Sequence, residues 1–539
     1  MTVTQSLSKP RMAREPENPL VELHFGPAAV AWLSDEANVA AWARLESRCP
    51  WSVAFLGPDF YRVWVRNYQS TWQPLLLTMT GAHGLSAVMP LGVRDGLVTG
   101  AGAHQADYHG WVWDETADGA LFLREAFAKI VAGFPRHTVR LRYLPPQTPA
   151  EAIEQLRRIP RASIRPSHRH AIKLDRGEIE GSLKKKGNKS KANRIKRGGK
   201  LEYRNLGFDE FARWFDDVIE MYDFRQGALI NSCPFRDDPS KKAFHLDWIR
   251  ALPKQLVANG MFLNDKLISI LVYVVSKDEV HLAIVAHAPE HGDNSPNKIQ
   301  MYEHGLTLIG QGFERIDLTP GGEDWKARFS DTPEPIIEFT IHDSSMSAAV
   351  TRTSQYLDKL AHKVAADLKV PVSDLKALGR RGAALPSNLW QRMTRAPEQA
   401  PARYEVALAG LAVELSPLVR VDPLSLLLDH GPGLAGLDRQ SFLSRAWFRI
   451  ESGARCYVLP GGDGIAALGW RSGADDKDGG RVTLFDFLLR DSESARVLVQ
   501  SMLFDLKTER ADGSATIVVP HGDAVLRGVV EALGGVKIA

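Results

Sequence analysis

HLAIVAHAPEHGDNSPNKIQMYEHGLTLIGQGFERIDLTPGGEDWKARF, residues 281–329, reads as strand, loop, helix, strand and turn in direct succession. The apolar strand ends at Ala286-His287, and a polar loop runs to Asn294. Asn294 or Ser295 can supply an N-cap oxygen, and Pro296 suits a first helical turn. The free N–H groups of such a turn carry partial positive charge and can bind a phosphate; Lys298 adds a full charge. A well-capped helix without a ligand is the alternative. The helix continues through Tyr302, Leu306 and Ile309, and a second strand, Phe313–Leu318, ends in Thr319-Pro-Gly-Gly-Glu-Asp-Trp-Lys326. Glycines followed by acidic, aromatic and basic residues past a strand are site-like, because chemistry sits often on such loops. A salt-bridged surface turn is the alternative.

Outward from this stretch the same order of elements recurs. Residues 19–176 read α-β-β-β-α-β-α. Leu75–Met79 and Leu85–Val93 form an antiparallel pair there, and Pro90 marks the second strand as edge, bulged or short. Residues 177–352 read α-α-β-β-β-α-β, with Phe211, Trp214, Phe215, Val218 and Tyr222 on one helix face. Residues 401–539 read β-β-β-α-β-α. Residues 1–18 are expected to be a disordered polar tail and 353–400 a helical linker. Three similar blocks predict an α/β (α+β) fold of tandem, mixed, mostly antiparallel sheets flanked by helices.

Composition excludes several classes. Among 539 residues, 67 Lys and Arg face 64 Asp and Glu, a net charge of +3, too small for a general polyanion binder. Cys49, Cys233 and Cys456 lie far apart without a CxxC pair, against a disulfide framework or a Cys-rich zinc site. The N-terminal residues lack an apolar signal core. The most apolar internal stretch, Leu267–Val275, has nine residues; a spanning helix needs about 20. A cytoplasmic protein without a transmembrane segment is expected. The histidines show no HExxH or other metal spacing, so no metal is predicted. No Ser-His-Asp or Cys nucleophile motif is present, which disfavours a covalent acyl-enzyme.

The pattern D-x-x-x-G-G-E-D-W-K-x-R-F from Asp317 to Phe329, preceded by Ser295-Pro-Asn-Lys298 and a helix, resembles the second half of the bacterial CelD/BcsL-type acyltransferases. These belong to the GNAT superfamily of N-acetyltransferases and are associated with cellulose and exopolysaccharide synthesis. Phe55-Leu56 through Trp64, Met89-Pro90-Leu91 and Asp107-Tyr108 resemble that family's first half, so the resemblance spans Trp51–Phe329. It implies tandem GNAT-like domains; the C-terminal block, with the same element order, is expected to be a degenerate third. It implies acetyl-CoA or another acyl-CoA as co-substrate. The pantetheine arm would follow Val285, Ala286 and His287, and the pyrophosphate would lie over Ser295, Asn297 and Lys298. Asp107, Tyr108 and Lys326 match catalytic positions; His109, Glu323 and Trp325 would meet the acceptor. The acceptor implied is a small molecule or glycan precursor of envelope or exopolysaccharide synthesis. The sequence departs from the superfamily's Arg/Gln-x-x-Gly-x-Gly/Ala loop, with Asn297 where Gly is common. Two other readings follow from the same resemblance: a related Fem-type transferase using aminoacyl-tRNA, and a non-catalytic GNAT-shaped partner in a polysaccharide-synthesis system.

The chemistry expected is direct acyl transfer. A strand N–H near Ala286 or the Lys326 ammonium would stabilise the charge on the thioester oxygen. Asp107, His109 and Glu323 are candidate bases; a strand-start cap with a packed phenol is the alternative for Asp107-Tyr108. One compositional anomaly remains. Nine of the seventeen residues Lys184–Lys200 are basic and none is acidic, and Arg157, Arg158, Arg161, Arg165 and Arg169 extend the run. A solvated linker and contact with a phosphorylated donor or anionic acceptor are open, as is peripheral contact with anionic lipid; nucleic acid is not expected. The lack of aromatics speaks against base stacking. Arg490-Asp-Ser-Glu-Ser494, at the third block's phosphate position, is acidic, so that block is expected to pack or regulate.

Overall fold

A computed structural model describes residues 19–114, 117–321, 325–330, 333–348, 350, 400–429, 438–462, 464–473, 482–510 and 513–538. The expected tail 1–18 and the linker up to 399 lie outside the described residues, as does Glu323.

Thirteen strands form one sheet: β1 (Leu20–Phe25), β2 (Gln73–Gly81), β3 (Gly84–Arg94), β4 (Leu97–Gly100), β5 (Val112–Trp113), β6 (Thr138–Leu141), β7 (Ala162–Lys173), β8 (Leu201–Leu206), β9 (Leu256–Leu263), β10 (Lys266–Ser276), β11 (Glu279–His287), β12 (Arg315–Pro320) and β13 (Glu334–Ile341). Their order is β1-β2-β3-β4-β6-β13-β7-β12-β11-β10-β9-β8, with β5 beside β3. The α/β reading holds, and the repeat in element order is a repeat in space. Three antiparallel strands (β2-β3-β4, then β9-β10-β11) are followed by a helix, Gly119–Gly133 or Pro296–Gly310, and a parallel strand, β6 or β12. A further antiparallel strand completes each half, and here the halves trade. β13, from the end of the second half, pairs with β6; β7, from the end of the first, pairs with β12. The two traded strands pair with each other over eight positions, so the sheet is continuous across the halves.

Of the three expectations for the Pro90 strand, edge, bulged or short, the structure corrects two: Pro90 sits inside the sheet in a long strand, and the strand is bulged, at Ser86 against β2. β3 has eleven residues and lies between β2 and β4. Its far-side partner changes from β5 at Ala87–Val88 to β4 at Leu91. Pro90 falls in that gap, where its carbonyl accepts from Ala101 N–H and no strand asks for a donor.

The core follows from aromatic amphipathic helices. Helix Pro58–Tyr68 buries Phe60, Tyr61, Val63, Trp64 and Tyr68; helix Ser240–Ala251 buries Phe244, His245, Trp248 and Ile249. They meet across the halves, with Phe60 against Trp248 at 4.9 Å and Tyr68 Oη donating to Asp238 at 2.6 Å. Most of the basic run forms one helix, Lys186–Arg197, which follows helix Arg176–Lys184.

The third block forms its own seven-stranded sheet from β14 (Ala402–Ala407), β15 (Arg420–Val421), β16 (Arg455–Gly461), β17 (Gly464–Arg471), β18 (Val482–Leu489), β19 (Ser514–Val519) and β20 (Val536–Ile538). It repeats the plan, with β18 and β19 parallel and helix Ser492–Glu509 between them. Its helix Arg439–Glu451 lies against helix Phe208–Ile230, where Phe442, Leu443, Ala446 and Ile450 share a core with Phe224, Ala228 and Cys233. Gly227 marks the closest approach: a side-chain carbon there would meet Leu443 at 2.8 Å. Cys49, Cys233 and Cys456 are buried free thiols. Among the described residues no helix is long and apolar enough to cross a membrane. Leu443→Ala should cost about 2–5 kcal/mol through the cavity it leaves; urea unfolding of the full chain checks this, and an unchanged midpoint would show that the contact does not hold the third block.

Candidate active site

Segments from both halves meet at Asp317. It is the last residue of β12 paired with β11, opposite His281, and is fully buried. Beyond this pair the two parallel strands stop pairing while β11 runs on to His287. In β11 the register with β10 skips Ala283: Leu282 faces Tyr273 and Ile284 faces Val272. Such a bulge flips the strand's faces and leaves one residue's backbone out of the ladder. Val280, Leu282 and Val285 accordingly face one hydrophobic cluster, and Ile284 and Ala286 another. The bulge at Ala283 lies on β11 just past its last pairing with β12.

Burial alone would raise the Asp317 pKa. The hydrogen bond and charge of His281, the charge of Arg169 and the Tyr108 hydroxyl outweigh it and hold the carboxyl well below the usual range. Its Oδ2 accepts from Tyr108 Oη at 2.6 Å and Arg169 Nη1 at 2.8 Å, and pairs with His281 Nδ1 at 3.1 Å. Its Oδ1 accepts the Thr319 N–H at 2.8 Å. Arg169 comes from the traded strand β7 and also binds Glu279 at 3.0 Å and Glu334 at 2.8 Å. Glu279, His281 and Asp317 have ligand atoms within 4.8 Å of one another, the spacing of a cation site. Arg169 Nη1 already bonds two of the three and supplies the positive charge.

Asp107 lies next to Tyr108 and keeps partial exposure. Burial and the charge of Asp317 push its pKa up to about 7, against the pull of His281, Lys326 and Arg142. A carboxyl poised there can accept a proton near neutral pH. Asp107 thus lies within reach of the charges of both Asp317 and Lys326. Lys326 is buried, and its ammonium donates to Thr319 O and Oγ1 at 3.1 Å and to Pro320 O at 3.4 Å. It braces a turn in which Thr319 and Gly321 have φ of 70° and 123°.

The other predicted residues divide. His109 is buried inside the first half, where its Nδ1 accepts Arg142 N–H and its Nε2 bonds Ala103 O at 3.0 Å. Burial lowers its pKa to about 4, so it is a neutral packing residue. Trp325 packs edge-on against Phe329, beside the cluster of Ile316 and Leu318 on the opposite face of β12. Val285 faces that same cluster. His287 and Asn297 hydrogen-bond to each other, and Asn297 also donates to Ala286 O at 2.8 Å and Ser269 Oγ at 2.7 Å. Asn297 thus ties the end of β11 to the next helix. Ser295 opens that helix in a left-handed conformation without a side-chain cap, and its hydroxyl accepts from Lys191 at 2.7 Å. Burial, then the charges of Lys191, Lys185 and Arg328, lower the Lys298 pKa. Four cations gather there, beside an open groove of about 1010 Å³ lined by Lys185, Tyr302, Arg328 and Phe329.

Arg169 and His281 were not legible as site residues. Arg169 read as part of a basic run, but it is buried within a carboxylate cage. Asp317 carried a signal, a charge between Ile316 and Leu318 in an otherwise apolar strand core, since buried charges need partners.

Residues 184–327 match the family model described as an acetyltransferase (GNAT) domain, and the chain carries a GNAT-type acetyltransferase domain there. No curated protein matches the chain. Among solved structures it is similar to FemX, at 10% identity and TM-score 0.41, covering 56% of this chain and 96% of that one. It is similar to the L-PGS structure from Bacillus licheniformis, at 13% identity and TM-score 0.37, covering 59% and 96%. A GCN5-related N-acetyltransferase from Kribbella flavida is similar at 12% identity and TM-score 0.28, covering 59% and 71%.

Arg169→Met should cost about 3–5 kcal/mol, because it leaves buried carboxylates without their cation. Denaturant unfolding is the measurement, and a variant as stable as the parent would deny the cluster its structural role.

Proposed function

We propose that the protein transfers an acyl group from acetyl-CoA or another acyl-CoA to an amine or hydroxyl of an acceptor. The observation that carries this reading is the opening between β11 and β12, with the Ala283 bulge on one wall and Asp107 poised near neutrality beside it. The acetyltransferase domain match over the same strands supports it. The acceptor class, a small molecule or glycan precursor of envelope or exopolysaccharide synthesis, rests on the resemblance to the CelD/BcsL-type enzymes.

The donor's thioester lies in the opening. The carbonyl oxygen gains charge as the acceptor attacks, and a backbone N–H of β11 beside the bulge would be a donor in place beforehand; one such donor is worth about 3–4 kcal/mol. Asp107 takes the proton from the acceptor, the carbon–sulfur bond breaks, and CoA leaves as the thiol after protonation. Tyr108 keeps its proton on Asp317 and fixes the position of Asp107 rather than reacting. Lys326 holds the turn that closes the site. The donor's phosphates fall near Lys185, Lys191, Lys298 and Arg328.

A second reading, an aminoacyl-tRNA donor, draws on the basic face of Lys186, Lys189, Lys196 and Arg197. Charged-tRNA binding that persists at physiological salt would favour it, because a basic face alone gives salt-sensitive attraction.

Thermal unfolding with a panel of acyl-CoAs tests the first reading. A bound donor raises the midpoint in proportion to its affinity, and no shift along the whole panel would end the acyl-CoA reading. Asp107→Asn should lower acyl transfer about 10²-fold or more while leaving unfolding unchanged. The carboxylate is the active form of the base, so the parent's kcat/KM should rise through pH 7 and level above it. The Asn variant should lose that limb; an identical profile in both proteins would exclude Asp107 as the base.

A further inference from the structure

The third block reaches the corner where the donor's phosphates are placed above, and this inference rests on that acyl-CoA reading. Helix Arg439–Glu451 ends over the turn Pro289–Asn294 that leads into helix Pro296–Gly310. Gly292 in this turn has no room for a side chain, because a carbon there would lie 2.5 Å from a Glu451 carboxylate oxygen. Trp447, one turn back, lays its ring against His287, with centroids 5.3 Å apart. Glu451 also feels the charges of Asp293 and Lys191, and Lys191 is the lysine bonded to Ser295 at the start of the donor helix.

The placement has a chemical consequence. A helix start and a lysine cluster attract an anion, and here a carboxylate of another block stands close by, against Gly292 and within reach of the Lys191 charge. Glu451 is half-buried on a long flexible side chain. It can swing aside without moving the third block, which is fixed separately by the Leu443 and Phe442 contacts.

We propose that Glu451 of the third block is a determinant of donor affinity: a resident carboxylate at the phosphate corner that phosphate-bearing donors must displace. The third block then belongs to the donor site.

The test uses the full chain and E451Q, which keeps shape and hydrogen bonding and removes the charge. Calorimetry follows three probes: CoA, inorganic pyrophosphate, and S-acetyl-pantetheine, which has no phosphate. E451Q should bind CoA and pyrophosphate about fivefold to tenfold more tightly, the range expected for one removed like charge at close quarters. Its affinity for S-acetyl-pantetheine should not change, a distinction that a merely structural role would not produce. Equal CoA and pyrophosphate affinities in the two proteins would overturn the proposal while leaving the acyl-CoA reading standing. Tighter pyrophosphate binding with no CoA binding in either protein would uphold the carboxylate's role and end the acyl-CoA reading. No binding of either phosphate probe to either protein would remove the anion corner and the proposal with it.

Discussion

A carboxylate that stays charged in the middle of the molecule sets the terms for the rest. Asp317 has no exposed surface, and an isolated ion there would cost several kcal/mol or neutralise itself. It remains ionised because Arg169, His281, Tyr108 and the Thr319 N–H all point at it. Each comes from a different stretch of chain: Arg169 from β7, His281 from β11, Tyr108 from the first half and Thr319 from the turn after β12. The two halves cannot separate or slide without leaving charges bare. The position of Asp107, the raised pKa that suits it to proton transfer and the path of the Thr319–Gly321 turn all follow from this one cluster.

The traded strands make the cluster possible. Had β7 stayed with the half that precedes it, Arg169 would have no route to Asp317. By crossing to pair with β12, β7 carries the guanidinium to the junction, and β13 fills the vacated place beside β6. Glu334, on β13, then closes the cage around Arg169. Sheet continuity and charge balance are two aspects of the same exchange.

The same unit appears three times with different fates. In the first, β4 and β6 are parallel, and the notch beyond them is filled by His109, which lies against Gly100 where no side chain fits. In the third, Asp491 caps its helix by accepting from Ser494 N–H, so the helix start holds its own anion; Phe487 fills the space at Gly469. In the second, β11 and β12 part beside a bulge, and the cations Lys191 and Lys298 stand at the helix start. Local plugging separates the unit proposed to bind the donor from two others that share its strand order.

The sequence alone determined the order of elements, the amphipathic faces of the main helices and the three-block repeat, because these depend on local periodicity and turn chemistry. The motif resemblance also singled out Asp107, Tyr108 and Lys326 as candidates. It misjudged what depends on distant partners. Arg169 read as one more arginine of a solvated run, and His109 as a cleft residue, because neither burial nor neutralisation is written within a few residues of either. Pro90 read as the sign of an edge, bulged or short strand, and nothing local reveals that two partner strands leave a gap opposite it. Only the tertiary structure decided the strand exchange, the Asp317 cage and the third block's reach to Gly292. The physical reason is common to all three: a buried charge or a close approach is fixed by groups up to hundreds of residues away, and the chain acquires them only when it folds.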